Sequence, residues 1–120
     1  MPLPTPDDVR ARLRALDEFD RKVTGGLVAL CMTMPEKVRD REWMAERFVH
    51  VATVAHGFDA ETGPATDADV ERMRAYATTH VEAVLAATLL LFVRTAADLQ
   101  QRGGPFSLSE AQQIVASYLG

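Results

Sequence analysis

The fold is decided by residues 67–102, which read DADVERMRAYATTHVEAVLAATLLLFVRTAADLQQR. Apolar side chains recur in this stretch every three or four residues, the spacing that places them on one face of an α-helix. Acidic residues stand at its start, and Gly103, Gly104 and Pro105 follow its end, as is typical of helix boundaries. The sequence therefore predicts one long helix from Asp67 to Arg102.

The middle of this helix is apolar on nearly every side. Residues 83–93, AVLAATLLLFV, carry no charge, but a membrane-spanning helix needs about 20 such residues, so we expect no membrane span. A helix that is apolar all round must be enclosed by protein. It is expected to be either the central helix of a bundle or a helix shared with a second subunit.

Three more helices are predicted around the long one. Residues 5–8, TPDD, have the form of a helix start, and a heptad pattern of apolar residues predicts a helix near 6–34. A Thr33–Glu36 capping box predicts a second helix near 36–56, ending at Gly57. A Ser107–Glu110 capping box predicts a short helix near 108–119.

Composition supports an all-α fold. The 120 residues are 48% hydrophobic, which suits one globular core, and the chain has a single isoleucine and no asparagine. Two breaks occur, at residues 57–66 and 103–106, and neither is long enough to divide the chain. We therefore predict a single-domain helical bundle of about four helices over residues 1–120.

Charge and cysteine content bear on partners and location. There are 13 basic and 17 acidic residues, and this net charge of −4 argues against binding nucleic-acid phosphates. The start of the chain lacks the features of a secretion signal. A single cysteine, Cys31, excludes an internal disulfide framework and suits a reducing compartment. The expected location is the cytoplasm.

Two features interrupt the first predicted helix. Asp20 occupies a core position in the heptad pattern, where a carboxylate is costly unless it is paired. Arg94 and Arg47 are the candidate partners, and a paired Asp20 would fix the register or the oligomeric state; exposure to solvent and a ligand role are the alternatives. Gly25 and Gly26 mark either a kink or the close approach of another backbone.

The predicted function is a non-enzymatic interaction, assembly or regulatory module that self-associates and binds a protein partner. The sequence contains no phosphate-binding loop, no nucleophile elbow and no DNA-reading helix, and no cofactor is expected. The residues predicted to form the interface or to fix the register are Leu16, Asp20, Leu27, Leu89 and Phe92.

The alternative function is a small helical protein that binds a metal, haem or an apolar ligand, with catalysis as an option. Glu46 and His50 are four residues apart in the second predicted helix, while His80 and Glu82 border the apolar part of the long helix. These four side chains are the candidate ligands. Their spacing matches no established metal motif, so it does not name a metal.

Overall fold

The computed structural model describes residues 3–55, 67–103 and 107–119, and the regular structure within them is entirely helical. This confirms the predicted all-α fold. The long helix runs from Asp67 to Arg102 and the last from Leu108 to Leu119, both as predicted. The described helices are α1 (Pro6–Arg14), α2 (Glu18–Thr33), α3 (Arg41–Ala55), α4 (Asp67–Arg102) and α5 (Leu108–Leu119).

The predicted helix 6–34 is wrong, because the chain breaks it between Arg14 and Glu18 into α1 and α2. The side chain of Asp17 caps the start of α2 by accepting a hydrogen bond from the backbone N–H of Asp20 at 2.8 Å. Arg21 then reaches back from α2 and donates to the backbone carbonyl of Leu16 at 2.8 Å. Side chains therefore form hydrogen bonds with backbone groups on both sides of the break.

The predicted start of the helix 36–56 is also wrong. The hydroxyl of Thr33 donates to the carbonyl of Leu30 at 2.7 Å and caps nothing, and residues 35–37 form a single 3-10 turn. Helix α3 begins at Arg41, where the Asp40 carboxylate accepts the backbone N–H of Trp43 at 3.0 Å. The predicted helix end at Gly57, the loop 57–66 and residues 104–106 lie outside the described residues.

Helices α2 and α4 form the centre of the fold, since α2 contacts α3, α4 and α5, and α4 contacts each of the other four helices. Their buried faces supply two apolar clusters. The first joins α1, α2, α4 and α5, and the second joins α2, α3 and α4. The fully enclosed residues of the first include Val9, Val28, Ala87 and Leu91, and those of the second include Val23, Leu27, Phe48, Ala52 and Val84.

Gly25 and Gly26 allow side chains to approach α2 from two directions, while α2 itself runs through them unbroken. A Cβ atom on Gly25 would lie 2.7 Å from Cδ1 of Leu119 in α5. One on Gly26 would lie 2.8 Å from Cγ1 of Val51 in α3. The approaching groups are thus side chains of α5 and α3, and not a second backbone.

We expect Gly25→Ala and Gly26→Ala to affect stability differently. In a helix interior alanine is more favourable than glycine by about 0.5–1 kcal/mol. At Gly25 the contact is the end of the Leu119 side chain, which is unbranched at Cβ and can rotate away from a new methyl group. Val51 is branched at Cβ and has one stiff torsion. Gly26→Ala should therefore be less stable than Gly25→Ala by about 1 kcal/mol or more in urea unfolding. Equal stabilities would contradict this packing.

Candidate functional site

The carboxylate of Asp20 lies buried between α2 and α4, with 3% of the residue exposed. The hydroxyl of Tyr76 donates a hydrogen bond to Oδ1, and Nδ1 of His80 lies 2.7 Å from Oδ2. Asp20 is therefore paired, as a buried carboxylate should be. The prediction that Arg94 or Arg47 pairs with Asp20 is wrong, because Tyr76 and His80 of α4 are its partners.

Aromatic rings hold both partners of Asp20 in position. The ring of Tyr76 stacks on that of His80 with centroids 4.5 Å apart and on that of Phe48 at 5.7 Å. Phe19 meets Tyr76 edge-on at 5.3 Å. Burial, together with the neighbouring Asp20 carboxylate, raises the pKa of Tyr76 far above its ordinary value. The hydroxyl therefore stays protonated and acts as a donor.

Asp17 extends this arrangement to the surface. It is exposed, and its carboxylate adjoins that of Asp20 because it caps the same turn of α2. One ligand atom each from Asp17, Asp20 and His80 can be chosen so that all three lie within 4.8 Å of one another. Within residues 3–55, 67–103 and 107–119, this is the one group of three His, Cys, Asp or Glu side chains that converges so closely.

Of the four predicted ligand residues, only His80 belongs to this group. Glu46 and His50 are exposed on α3, and the exposed Glu82 forms an ion pair with Arg41. The sequence placed all four on helices but did not show which helix faces meet. Asp17 was missed as a ligand, although its position three residues before Asp20 is the spacing of a helix cap.

Arg94 serves a different polar cluster, which ties both ends of the chain to α4. Its guanidinium binds the Asp98 carboxylate at 2.7 Å and donates to the carbonyl of Pro4 at 3.0 Å. The hydroxyl of Tyr118 in α5 donates to the same carboxylate at 2.9 Å. Every described partner in this cluster is internal, so its role is to hold the fold together.

Cys31 is buried in α2, with its sulfur 3.6 Å from that of Met44. Burial raises the pKa of the Cys31 thiol to about 11. At neutral pH the group is therefore a protonated thiol, which is a poor nucleophile and a poor metal ligand.

The residues predicted to form an interface are divided between the core and the surface. Leu16 and Leu27 are 7% and 0% exposed and pack inside one chain. Leu89 is 46% exposed on the outer side of α4, and Phe92 is half-buried beside it. A groove lined by α4, the chain start and the α2–α3 connection passes through Leu89. The side of α4 that lines this groove is called the outer face of α4, and the exposed Ala96 extends it by one turn. Its lining residues are Glu82, Leu85, Ala86, Leu89, Leu90, Phe92 and Val93.

Helix α4 also has the length and composition of a membrane span between residues 71 and 102. An 18-residue window there has a mean hydropathy of 1.5, and 22% of that window is buried within the chain. The core helix of a water-soluble protein passes the same test, so this is weak evidence of a span. Of the described large apolar side chains of α4, Leu89 is the one that is exposed.

Comparisons of the chain with protein-family models, with curated proteins and with solved structures found no match.

Proposed function

We propose that this chain is a helical interaction module that self-associates through the outer face of α4. The observation that carries the proposal is Leu89, a large apolar side chain that is 46% exposed at the centre of an uncharged stretch. Association with a partner that removes this leucine from water lowers the free energy.

The spacing of side chains on this face favours another helix as the partner. Steps of four, three, four and three residues separate the exposed or half-buried side chains of Glu82, Ala86, Leu89, Val93 and Ala96. This alternation is the a/d heptad pattern, which places a narrow strip of side chains against a neighbouring helix. The alanines before and after Leu89 let a second backbone come close.

A second copy of the chain is the partner that we propose, because the outer face of α4 and its surroundings can pair with the same surface of another copy. Apolar side chains of Leu3 and Val38 continue the groove beside α4. Exposed charges of both signs surround it, namely Asp8, Arg12, Arg39, Arg41 and Glu82. In a twofold dimer with antiparallel α4 helices, charges at opposite ends of the groove come together, so opposite signs are able to pair.

Leu89→Glu is expected to convert the self-associated protein to monomers. A twofold interface would bury the new carboxylate twice, and this should raise the dissociation constant at least about 100-fold. The measurement is molar mass by light scattering and sedimentation over a range of protein concentrations. Because Leu89 is exposed in one chain, the circular dichroism spectrum should remain helical.

Leu108→Glu is the matched control, since Leu108 is 38% exposed on α5 and does not line this groove. It should leave the mass unchanged. A wild-type chain that stays monomeric at high concentration would overturn the proposal, as would a Leu89→Glu variant with the wild-type mass. If a monomeric wild-type chain instead cosedimented with lipid vesicles, the outer face of α4 would be a bilayer contact.

A further inference from the structure

We propose that Asp17, Asp20 and His80 form a binding site for one divalent transition-metal ion of the Zn²⁺ class. The site is separate from the outer face of α4 and does not depend on self-association. It combines two carboxylates from the first turn of α2 with an imidazole from α4, 60 residues away in sequence.

The distances suit a single ion. Zinc lies about 2.0–2.2 Å from nitrogen and oxygen ligands, so two ligand atoms of its tetrahedral shell are roughly 3.3–3.6 Å apart. The three ligand atoms here lie within 4.8 Å of one another, so the exposed side chain of Asp17 would rotate toward the other two by roughly 1 Å to complete a tetrahedral site. An ion bound to Nδ1 of His80 and Oδ2 of Asp20 replaces the hydrogen bond that now joins them.

The surroundings already orient two of the ligands. Tyr76 donates to Oδ1 of Asp20 and leaves Oδ2 directed at His80. The stacked ring of Tyr76 also holds the plane of the imidazole. Hydrogen bonds that orient metal ligands in this way contribute to affinity in known metal sites.

Charge supplies a reason that is independent of the donor geometry. Asp20 is 3% exposed, yet no Lys or Arg nitrogen in the described parts of the chain lies within 4.0 Å of its carboxylate or that of Asp17. Buried charges are paired or coordinate a metal. Among the described partners of Asp20 only His80 can carry a positive charge, and it does so only when protonated, whereas a bound ion would supply a permanent one. The same two carboxylates repel anions such as phosphate.

The type of donor selects the class of metal. An imidazole nitrogen beside carboxylate oxygens suits Zn²⁺, Co²⁺ or Ni²⁺, whereas Mg²⁺ and Ca²⁺ prefer oxygen ligands alone. The side chain of His80 is 32% exposed, so an ion can reach the site from solvent.

The test is a titration of the full chain with Co²⁺ after treatment with EDTA, followed by displacement with Zn²⁺. We expect one equivalent of Co²⁺ to bind with visible absorption bands, and Mg²⁺ not to compete. Asp17→Asn and His80→Gln should each weaken binding at least about 100-fold, because loss of a group that only orients a ligand already costs about 10–100-fold. Asparagine caps helices as well as aspartate does, so Asp17→Asn should keep the fold.

Asp7→Asn and His50→Gln are the controls, since both change exposed residues outside the cluster. They should leave Co²⁺ binding unchanged. The proposal is overturned if the wild type binds neither Co²⁺ nor Zn²⁺, or if binding survives both Asp17→Asn and His80→Gln. Loss of binding in His50→Gln would place the metal elsewhere and overturn it too.

Discussion

Replacing Phe48 with alanine is expected to lower the free energy of unfolding by about 3–5 kcal/mol, the usual range for a fully buried phenylalanine. Phe48 is 0% exposed at the meeting point of α2, α3 and α4. Its ring also stacks on Tyr76 at 5.7 Å, so its removal would loosen the frame around Asp20. The measurement is urea unfolding followed by circular dichroism.

The neighbouring Val49→Ala is the control, because Val49 is 41% exposed on the other side of α3. Its effect should stay within about 0.5 kcal/mol. If Phe48→Ala fails to fold, Phe48→Leu gives a measurable substitute, with an expected loss of about 1–1.5 kcal/mol. Losses of equal size at positions 48 and 49 would show that Phe48 is not at the centre of this core.

The helices whose ends carry strong local signals could be predicted from the sequence. Helix α4 ends where Gly103 adopts a positive φ of 69°, a conformation that glycine accepts without strain. Residues 5–8 form the predicted helix start: the side chain of Thr5 accepts a hydrogen bond from the N–H of Asp8 at 3.1 Å, and α1 begins there. These signals act over three or four residues, so they do not depend on the rest of the fold.

The break between α1 and α2 shows where local signals compete. The apolar heptad pattern runs from Val9 through Leu16 to Leu27 and favours one helix. Asp17 lies inside that pattern, but its side chain caps a second helix, so the first helix ends before it. Arg21 donates a hydrogen bond to the backbone carbonyl of Leu16 in the break. Both patterns are visible in the sequence, and the break lets α1 and α2 each pack against α4.

The partners of Asp20 could not be predicted by the same means. Sequence alone indicates that a buried carboxylate needs a partner. It does not identify Tyr76 and His80, which are 56 and 60 residues away, because their contact depends on how α4 lies against α2. Charge complementarity suggested arginines, whereas a phenol and an imidazole satisfy Asp20 instead.

The two proposed sites lie on the same helix but involve different residues. Tyr76 and His80 face α2, and Leu89 lies about two and a half turns beyond His80 along α4, on its outer side. Leu89→Glu should therefore leave Co²⁺ binding intact, and His80→Gln should leave the molar mass intact. Failure of one proposal would not remove the support for the other.

Asp20→Ala is expected to lower the free energy of unfolding by about 2–4 kcal/mol, measured in EDTA so that no metal contributes. Hydrogen bonds to a charged group each stabilise a fold by about 1.5–3 kcal/mol, and this change removes the acceptor of Tyr76 and His80. The carboxylate also lies in the first turn of α2, where the helix dipole favours negative charge. The cost of burying that charge offsets part of the total.

Asp20→Asn separates the hydrogen bonds from the charge, because its amide oxygen can still accept from Tyr76. Its stability should fall between those of the wild type and Asp20→Ala. A double-mutant cycle with Tyr76→Phe should give a coupling of at least about 1 kcal/mol, and Glu18→Ala, an exposed change in the same turn, should have little effect. If Asp20→Ala were as stable as the wild type, the bonds would only balance the burial of the charge, and stability would not account for a carboxylate at this position.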